Sequence, residues 1–415
     1  MLRCIILSVM ISGWSAPGVA DVFNGGHVKF LSLLNRFPDD SLFADFTGSS
    51  SADYNGNARL KFDWQMDRVQ LVTDYQLSAQ YGDTIKLANS LPGSVLIKKP
   101  VTDDSNRLFD LTRTVSQDND SALVHRLDRF YIDITTSNTV VRAGRQAVSW
   151  GNGLVYTPMD FINPFDPSAV DKEYKTGDDM LYGQQLMSDG DDLQMVWVIR
   201  RDSANNITGK VDSIAIKYHG FSTAREFDLL IARHYSDTIY ALGGLVNVGE
   251  AVWRGDIILT SLATENVTSL VTSLSYSWVG WGHNISGVVE YFYNGFGQSN
   301  TDYNPAALAS NLALSARLVR GELFTLARHY IAVSALIEVT PLWTLTPNVF
   351  ININDNSYLA QLVSAYDFKQ DWRLLMSLSV PVGGVGSEFG GVDSGVVAKP
   401  LSTELSLFAQ LAWYF

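Results

Sequence analysis

The chain has 415 residues, 46% of them hydrophobic, and a formal net charge of -13. So acidic a chain is a poor partner for nucleic acid, whose phosphates require cations. It holds a single cysteine, Cys4, which excludes a disulfide framework or thiolate metal centre as the source of stability.

The first twenty residues read as a secretory signal. Arg3 supplies a positive start, Ile5 to Ile11 a short apolar core, and Gly18-Val19-Ala20 a small-residue cleavage site before Asp21. Cys4 and Arg3 leave with the signal, so the mature chain is cysteine-free with a net charge of -14. No later run of eighteen apolar residues offers a helical membrane span.

From about residue 26 onward the apolar residues recur with period two, as they do along strands with one apolar and one polar face. Leu71, Thr73, Tyr75, Leu77 and Ala79 oppose Asp74, Gln76, Ser78 and Gln80. Leu193, Met195, Trp197 and Ile199 oppose Gln194 and Arg200, and Ile331, Val333, Ala335, Ile337 and Val339 oppose Ser334 and Glu338. In the last segment Leu405, Leu407, Ala409, Leu411, Trp413 and Phe415 share one face. The spacing predicts sixteen or seventeen strands, at about 26–34, 57–65, 68–81, 122–135, 139–149, 192–201, 211–220, 226–235, 238–248, 251–260, 270–280, 283–293, 327–339, 343–353, 357–366, 370–380 and 401–415. Tight turns at Gln65–Asp67, Thr136–Asn138, Thr340–Leu342 and Asp367–Lys369 alternate with long polar loops at 35–56, 82–121, 150–191, 294–326 and 381–400. Short turns on one rim and long loops on the other are the layout of an outer-membrane barrel. The expected fold is therefore all-β: a transmembrane antiparallel β-barrel of about 16 strands (range 14–18), with residues 21–415 as one domain. A soluble sandwich also uses alternating strands, but so many strands would normally divide into domains.

The polar faces carry charge of both signs. Arg59, Lys61, Arg129, Arg142, Arg200, Lys217, Arg254, Arg328 and Arg373 stand against Asp63, Asp133, Asp228, Asp256, Glu290, Glu338 and Glu404. Buried charge must be paired or wet, so these residues are expected to line a hydrated lumen and set its solute preference. Residues 160–192 hold nine carboxylates and two lysines, a net of -7. That run reads as one acidic loop.

Motifs for chemistry are sparse. Gly151-Asn152-Gly153 begins like a phosphate-binding G-x-G-x-x-G, but Tyr156 stands where the last glycine belongs. Six histidines lie far apart without metal-ligand spacing. His234, followed by Ser236-Asp237, is the nearest approach to a hydrolytic site and reads better as a turn. Asp189-Gly190-Asp191-Asp192 offers oxygen ligands for calcium without the spacing of an EF-hand. No cofactor, metal or catalytic residue is expected.

The segment from Gly144 to Pro167 is unlike the rest. Gly151 and Gly153 allow tight backbone turns, and Pro158, Pro164 and Pro167 prevent ladder pairing. Residues 150–170 are expected to fold inward and narrow the lumen. Trp150, Tyr156 and Phe161 would pack on the wall, Arg142 and Gln146 would face inward, and Arg142 and Arg145 would meet Asp160 and Asp166. Gly144-Arg145-Gln146, Trp150-Gly151-Asn152-Gly153, Asp160 and Asn163-Pro164 resemble the signature of Gram-negative outer-membrane porin-like barrels, similar in motif to the alginate-export barrels. Leu323 to Ser357 is similar to the later hairpins of such porins, and the terminal Phe415 to the signal read by the barrel assembly machinery. The resemblance implies a pore in the outer membrane of a Gram-negative cell. Its partners would be outer-membrane lipid and lipopolysaccharide, the assembly machinery through Phe415, and a small-molecule solute. The expected function is a channel for small hydrophilic or anionic solutes. A barrel hydrolase acting on lipid or peptide and a non-conducting surface scaffold are the alternatives.

Overall fold

The computed structural model describes residues 22–90, 103–223 and 225–415. The signal segment 1–20 and residues 91–102 of the second long loop lie outside these. In chain order the strands are β1 (Phe23–Arg36), β2 (Ser50–Met66), β3 (Val69–Gly82), β4 (Thr112–Gln117), β5 (Ser121–Thr135), β6 (Thr139–Gln146) and β7 (Asp178–Leu186). Then come β8 (Asp192–Val198), β9 (Ser213–Phe221), β10 (Arg225–His234), β11 (Asp237–Val248), β12 (Ala251–Ser261), β13 (Asn266–Gly280) and β14 (His283–Tyr293). The last are β15 (His329–Thr340), β16 (Trp343–Asn352), β17 (Ser357–Lys369), β18 (Trp372–Val382), β19 (Val392–Asp393), β20 (Pro400–Leu401) and β21 (Leu405–Tyr414).

Each strand pairs antiparallel with the next around a closed ring, apart from β4, which adds to β5 only, and the separate β19–β20 pair. Among the described residues the ring has eighteen strands, closed by β21 on β1 in the register Val28↔Trp413 and Leu34↔Leu407. Gly26 N–H donates to Phe415 O at 2.8 Å, and Phe415 N–H donates back to Gly26 O at 3.1 Å. All-β and barrel are borne out; the number is eighteen, not sixteen or seventeen. The strand missing from the sequence reading is β7. Its outward positions are Asp179, Leu181, Gly183 and Gln185, so one apolar residue stands where the alternation needs four.

The two faces invert the usual arrangement of a globular protein. Outward positions such as Phe30, Trp64, Ile132, Trp197, Ile231, Trp253 and Trp413 are exposed, while inward Lys29, Arg59, Asp74, Asp133, Asp228, Asp256, Glu290 and Gln410 are buried. The apolar outer band is what a barrel in a bilayer needs; inside, these polar groups stand beside an apolar cluster in which Trp150, Met159, Phe161 and Ile162 pack on Val196, Val198 and Leu230 of the wall. Among the described residues one rim carries only short turns, the start of β1 and the end of β21; the other carries every long loop. Among the described residues four short helices cap the long-loop rim: α1 (Leu42–Thr47), α2 (Asp83–Ser90), α3 (Pro305–Ser310) and α4 (Leu312–Arg320). Asn304 and Asn311 cap α3 and α4 by accepting the amides of Ala307 and Leu314, and α4 stops at left-handed Gly321.

The acidic run from 160 to 192 is not one loop. Asp160 to Glu173 lie inside the barrel, Asp178 and Asp179 begin β7, and Asp189 and Asp191 sit in the short turn before β8 on the opposite rim. There Asp191 accepts from the amide of Phe221 and the hydroxyl of Tyr218. Among the described residues no three His, Cys, Asp or Glu side chains are placed to hold a metal ion.

Candidate functional site: a hoop inside the lumen

β6 ends at Gln146 and the chain rejoins the sheet at Asp178. The prolines between them forbid a ladder, so the segment 147–177 must find other partners for its polar backbone. It finds them on the inner wall. Trp150 Nε1 donates to Gln194 of β8 at 2.8 Å. Asn152 donates from its backbone and side chain to Asp256 of β12, both at 2.7 Å, and to Asp228 of β10 at 3.0 Å. The amides of Leu154, Val155 and Tyr156 converge on the Glu290 carboxylate of β14 at 2.7, 3.1 and 2.6 Å, and the Tyr156 ring stacks on Phe292. Farther round, Gln361 of β17 donates to Ser168 O at 3.0 Å. Lys29 of β1 pairs with Asp171 at 2.8 Å and Glu173 at 2.6 Å, and Tyr414 of β21 donates to Glu173. Arg59 of β2 lies 4.1 Å from the Tyr174 ring centroid, and Arg129 of β5 donates to Lys175 O at 2.6 Å. The segment thus makes a circuit of the inner wall, a hoop held by wall side chains.

Local sequence explains the hoop's shape. Gly151 has φ +100, and a side chain on Gly153 would lie 1.9 Å from Tyr156 O, so both turns require glycine. Asp160 and Lys175 clasp at 2.6 Å, and Lys175 also reaches Ser149 Oγ at 3.2 Å and Val148 O, which ties the two ends of the hoop together. Burial pushes the Asp160 carboxyl up to about 6, with Lys175 beside it opposing the rise.

The lumen has two unlike sides. Toward β10, β12 and β14 the acids Asp256 and Glu290 are consumed in holding the hoop, and Asp228 is shared between Asn152, Lys217 and His219. Toward β1, β2, β3 and β5 cations are concentrated, Lys29, Arg59, Lys61, Arg126 and Arg129 against Asp63, Asp74, Asp128 and Asp133, and a cavity of about 290 Å³ is lined by His27, Lys29, Arg59, Gln76, Arg126, Asp128, Asp171, Tyr174 and Gln410 among others. A bulge sets this side: the register of β3 on β5 skips Asp128 between Asp74↔Arg129 and Tyr75↔Leu127. Asp128 bonds Arg59 at 2.8 Å, Arg126 at 2.8 Å and Arg129 at 2.9 Å. Three buried nitrogens on this wall, His27 Nδ1, Arg59 Nε and Arg126 Nε, have no protein partner, a cost that a polar occupant of the cavity would relieve.

Most of the sequence-chosen residues share this interior. Arg59, Lys61, Asp63, Arg129, Asp133, Arg142, Arg254, Glu290, Glu338 and Arg373 fall in the inward register, Gln146 is buried against Met180 O, and Trp150, Tyr156, Asp160 and Asp166 lie on the hoop. The expected pairing of Arg142 and Arg145 with Asp160 and Asp166 does not form. Arg142 bonds Asp133 at 2.6 Å, and Asp166 accepts from Ser168. Arg145 is in the outward register, opposite Phe130, and is roofed by the 103–111 segment through Asp104 and Asp179. Arg200 and Arg328 lie beyond the strands: Arg200 bonds Asp178 and Ser213 Oγ, and Arg328 bonds Gly297 O. Glu404, also expected inside, pairs with Arg36 on the outer surface. Sequence reasoning missed His27, Lys29, Arg126, Asp128, Asn152 and Tyr174. The bulge shifts β5 out of period two, and a loop residue such as Tyr174 carries no periodic signal.

His234 does close a tight turn, as its neighbours suggested, with Tyr235 at φ +53. Its ring joins Ser213 Oγ at 2.7 Å to Glu322 at 2.8 Å. That linear order imitates a hydrolytic triad. However, Arg200 Nη1 donates to the serine oxygen at 2.6 Å, and Phe161 and Tyr235 pack edge-on against the imidazole. Ser213 and His234 are each 1% exposed, so the chain serves as a tie from the barrel to the loop after α4.

At the level of sequence, no family model and no curated protein matches the chain. Solved structures do match. The crystal structure of Acinetobacter baumannii OccAB1 aligns with 96% of this chain and 97% of its own, at a TM-score of 0.54 and 10% identity. Pseudomonas aeruginosa OccK5 (OpdH) aligns at 0.54 and 9% identity, over 96% and 99% of the two chains. A BenF-like porin from Pseudomonas fluorescens Pf-5 aligns at 0.53 and 10% identity, over the same shares. The chain has the porin fold. At such identities the likeness is one of fold. It supports the outer-membrane porin resemblance and gives no support to the alginate-export one, since the similar structures are of the Occ and BenF-like kind. In this chain the segment inside the barrel is the one between β6 and β7.

Proposed function

We propose that the protein is a channel of the Gram-negative outer membrane that passes small hydrophilic solutes and prefers anionic ones, with no catalytic activity. The observation that carries this reading is the hoop inside a closed ring of eighteen strands, with cations concentrated on one side of the interior. The apolar outer band and the terminal Phe415, paired to Gly26 at the seam, support assembly into a bilayer. The lumen's charge is mixed, which argues against export of a polyanionic polysaccharide, a task that calls for a strongly basic passage.

The test is conductance of the refolded protein in planar bilayers with a panel of sugars and organic acids. Removing 154–166 enlarges the single-channel conductance; an unchanged value would sink the role of the hoop as the constriction. Tyr174→Ala, which trims the hoop without touching its hydrogen bonds to Asp256 and Glu290, gives a smaller increase in the same direction. Absence of any conductance in the folded protein would favour the non-conducting scaffold instead.

A further inference from the structure

The outward side chains of β10 run Arg225, Phe227, Leu229, Ile231 and Arg233. Three apolar residues, all exposed, separate a cation at the short-turn end from a cation at the long-loop end. Directly beside Ile231 stand Ile216 of β9 and Tyr240 of β11, likewise exposed, so an apolar lane three strands wide ends at Arg233. Other outward cations on the long-loop side have a carboxylate: Arg36 has Glu404 at 3.0 Å, Arg113 has Asp110, and Arg145 has Asp179 at 2.8 Å. Arg233 is exposed and has neither an ion pair nor a hydrogen bond from its side chain among the described residues. Its Nη2 lies 3.5 Å from the point that a Cβ on Gly209 would occupy, beside the turn in which Val211 N–H donates to Thr208 O. Lys210 of that turn is exposed, and its side chain is equally without a partner among the described residues. The nearest acid along the chain, Asp212, is buried and occupied by Trp197 Nε1 and the Arg200 amide.

We propose that Arg233 and Lys210 hold a phosphate of lipopolysaccharide, one of whose acyl chains lies along the apolar lane below. The reading rests on the barrel spanning the outer membrane with its long loops outside. In that setting the lipid beside Arg233 is lipopolysaccharide, whose phosphates are anions standing just above its acyl chains. A strand of about 9–11 residues crosses the bilayer, so β10, with its ten residues, places Arg233 at the level of those phosphates. An unpaired cation at the edge of the hydrocarbon gains from a countercharge, and the phosphate supplies to Arg233 what a carboxylate supplies to Arg36, Arg113 and Arg145. The guanidinium fork matches two phosphate oxygens, and the lysine adds a second charge on a flexible stem. Glycine at 209 leaves that fork uncovered.

The test is lipid retention, not conductance, so the proposal can fail while the channel reading stands. The full chain in detergent is mixed with bisphosphorylated or with dephosphorylated lipid A, and retained lipid is counted by native mass spectrometry. EDTA is present throughout to remove divalent bridges to carboxylates. The phosphorylated lipid is retained in preference. Arg233→Gln with Lys210→Gln lowers its retention about thirtyfold and erases the preference between the two lipids. Gly209→Leu, which covers the guanidinium, lowers retention in the same direction, and Arg225→Gln, at the other end of the strand, leaves it unchanged. A heat-shifted gel band like that of the parent shows that the variants fold. Equal retention of both lipids by the parent chain, retention unchanged in the folded double variant, or an equal loss in Arg225→Gln would each overturn it.

Discussion

Arg145 shows how one side chain can be both the most conspicuous residue of a motif and misjudged in its role. Its guanidinium has no solvent exposure, and it donates to Asp179 at 2.8 and 3.0 Å, Asp104 at 2.7 Å and Phe109 O at 2.6 Å. Nearly all its donors are used, which is what a buried guanidinium requires. Its work is to fasten the 103–117 segment over the place where β6 ends early and the hoop departs inward; β4 then supplies β5 with the partner that β6 no longer provides. Asp104→Asn leaves that cation under-compensated and lowers stability by about 3–5 kcal/mol, measurable as a lower midpoint in denaturant. Burial by itself would raise the Asp104 carboxyl, but Arg145 and Arg107 hold it down at about 2. The group is therefore depressed below its ordinary value of 3.8. Its contribution is complete above pH 3.8 and is lost as pH falls through about 2. The stability gap between the parent and Asp104→Asn accordingly narrows on acidification; a gap constant down to pH 2 would refute the assignment. Glu290 is the matching case on the inside. Glu290→Ala strands three amides, that of Tyr156 buried, at about 1–3 kcal/mol for the buried one, so limited proteolysis should nick the hoop near Leu154 faster than in the parent.

At the scale of elements, the seam between β1 and β21 is the most demanding. Gly25 has φ +75, and a Cβ on Gly26 would sit 2.2 Å from Arg59 O and 3.2 Å from the Phe415 ring. The seam therefore closes only around a backbone with no side chain there. Gly26→Val blocks the Phe415 bond and shows on a gel as loss of the heat-shifted folded band. The bulge at Asp128 is the other deciding feature: a single extra residue brings Arg126, Asp128 and Arg129 to the lumen together, which no regular strand can do. β5 also shows why strand existence was easier to read than facing. Period two identifies the segment, yet counting from either end assigns half of it to the wrong side.

At the scale of the molecule, the lumen is electrically divided because the hoop engages the acids on one wall and leaves cations prominent on the other. Lys61 faces inward beside the Tyr174 ring, 5.1 Å from its centroid. Lys61→Glu changes the lumen by two charges and shifts ion selectivity toward cations. The shift is read as a reversal potential across a salt gradient and is larger at low ionic strength. A reversal potential that does not move would mean that the basic wall does not set the preference.

The sequence by itself determined the class of object. Alternation survives along each strand because lipid and water reward opposite residues at successive positions, so seventeen of the eighteen ring strands were legible, and with them the apolar outside, the charged interior and the rim of long loops. The glycines and prolines after Gln146 also announced locally that the segment leaves the sheet. What only the tertiary structure decided is where such irregular segments go. Nothing in 147–177 encodes that Asn152 will meet Asp256, or that Asp171 will meet Lys29, because those partners come from strands far along the chain and are brought round by closure. The same holds for the bulge at Asp128 and for β7, whose outward Gly183 and Gln185 give no periodic signal: their places are set by the neighbours they must pair with, not by their own residues.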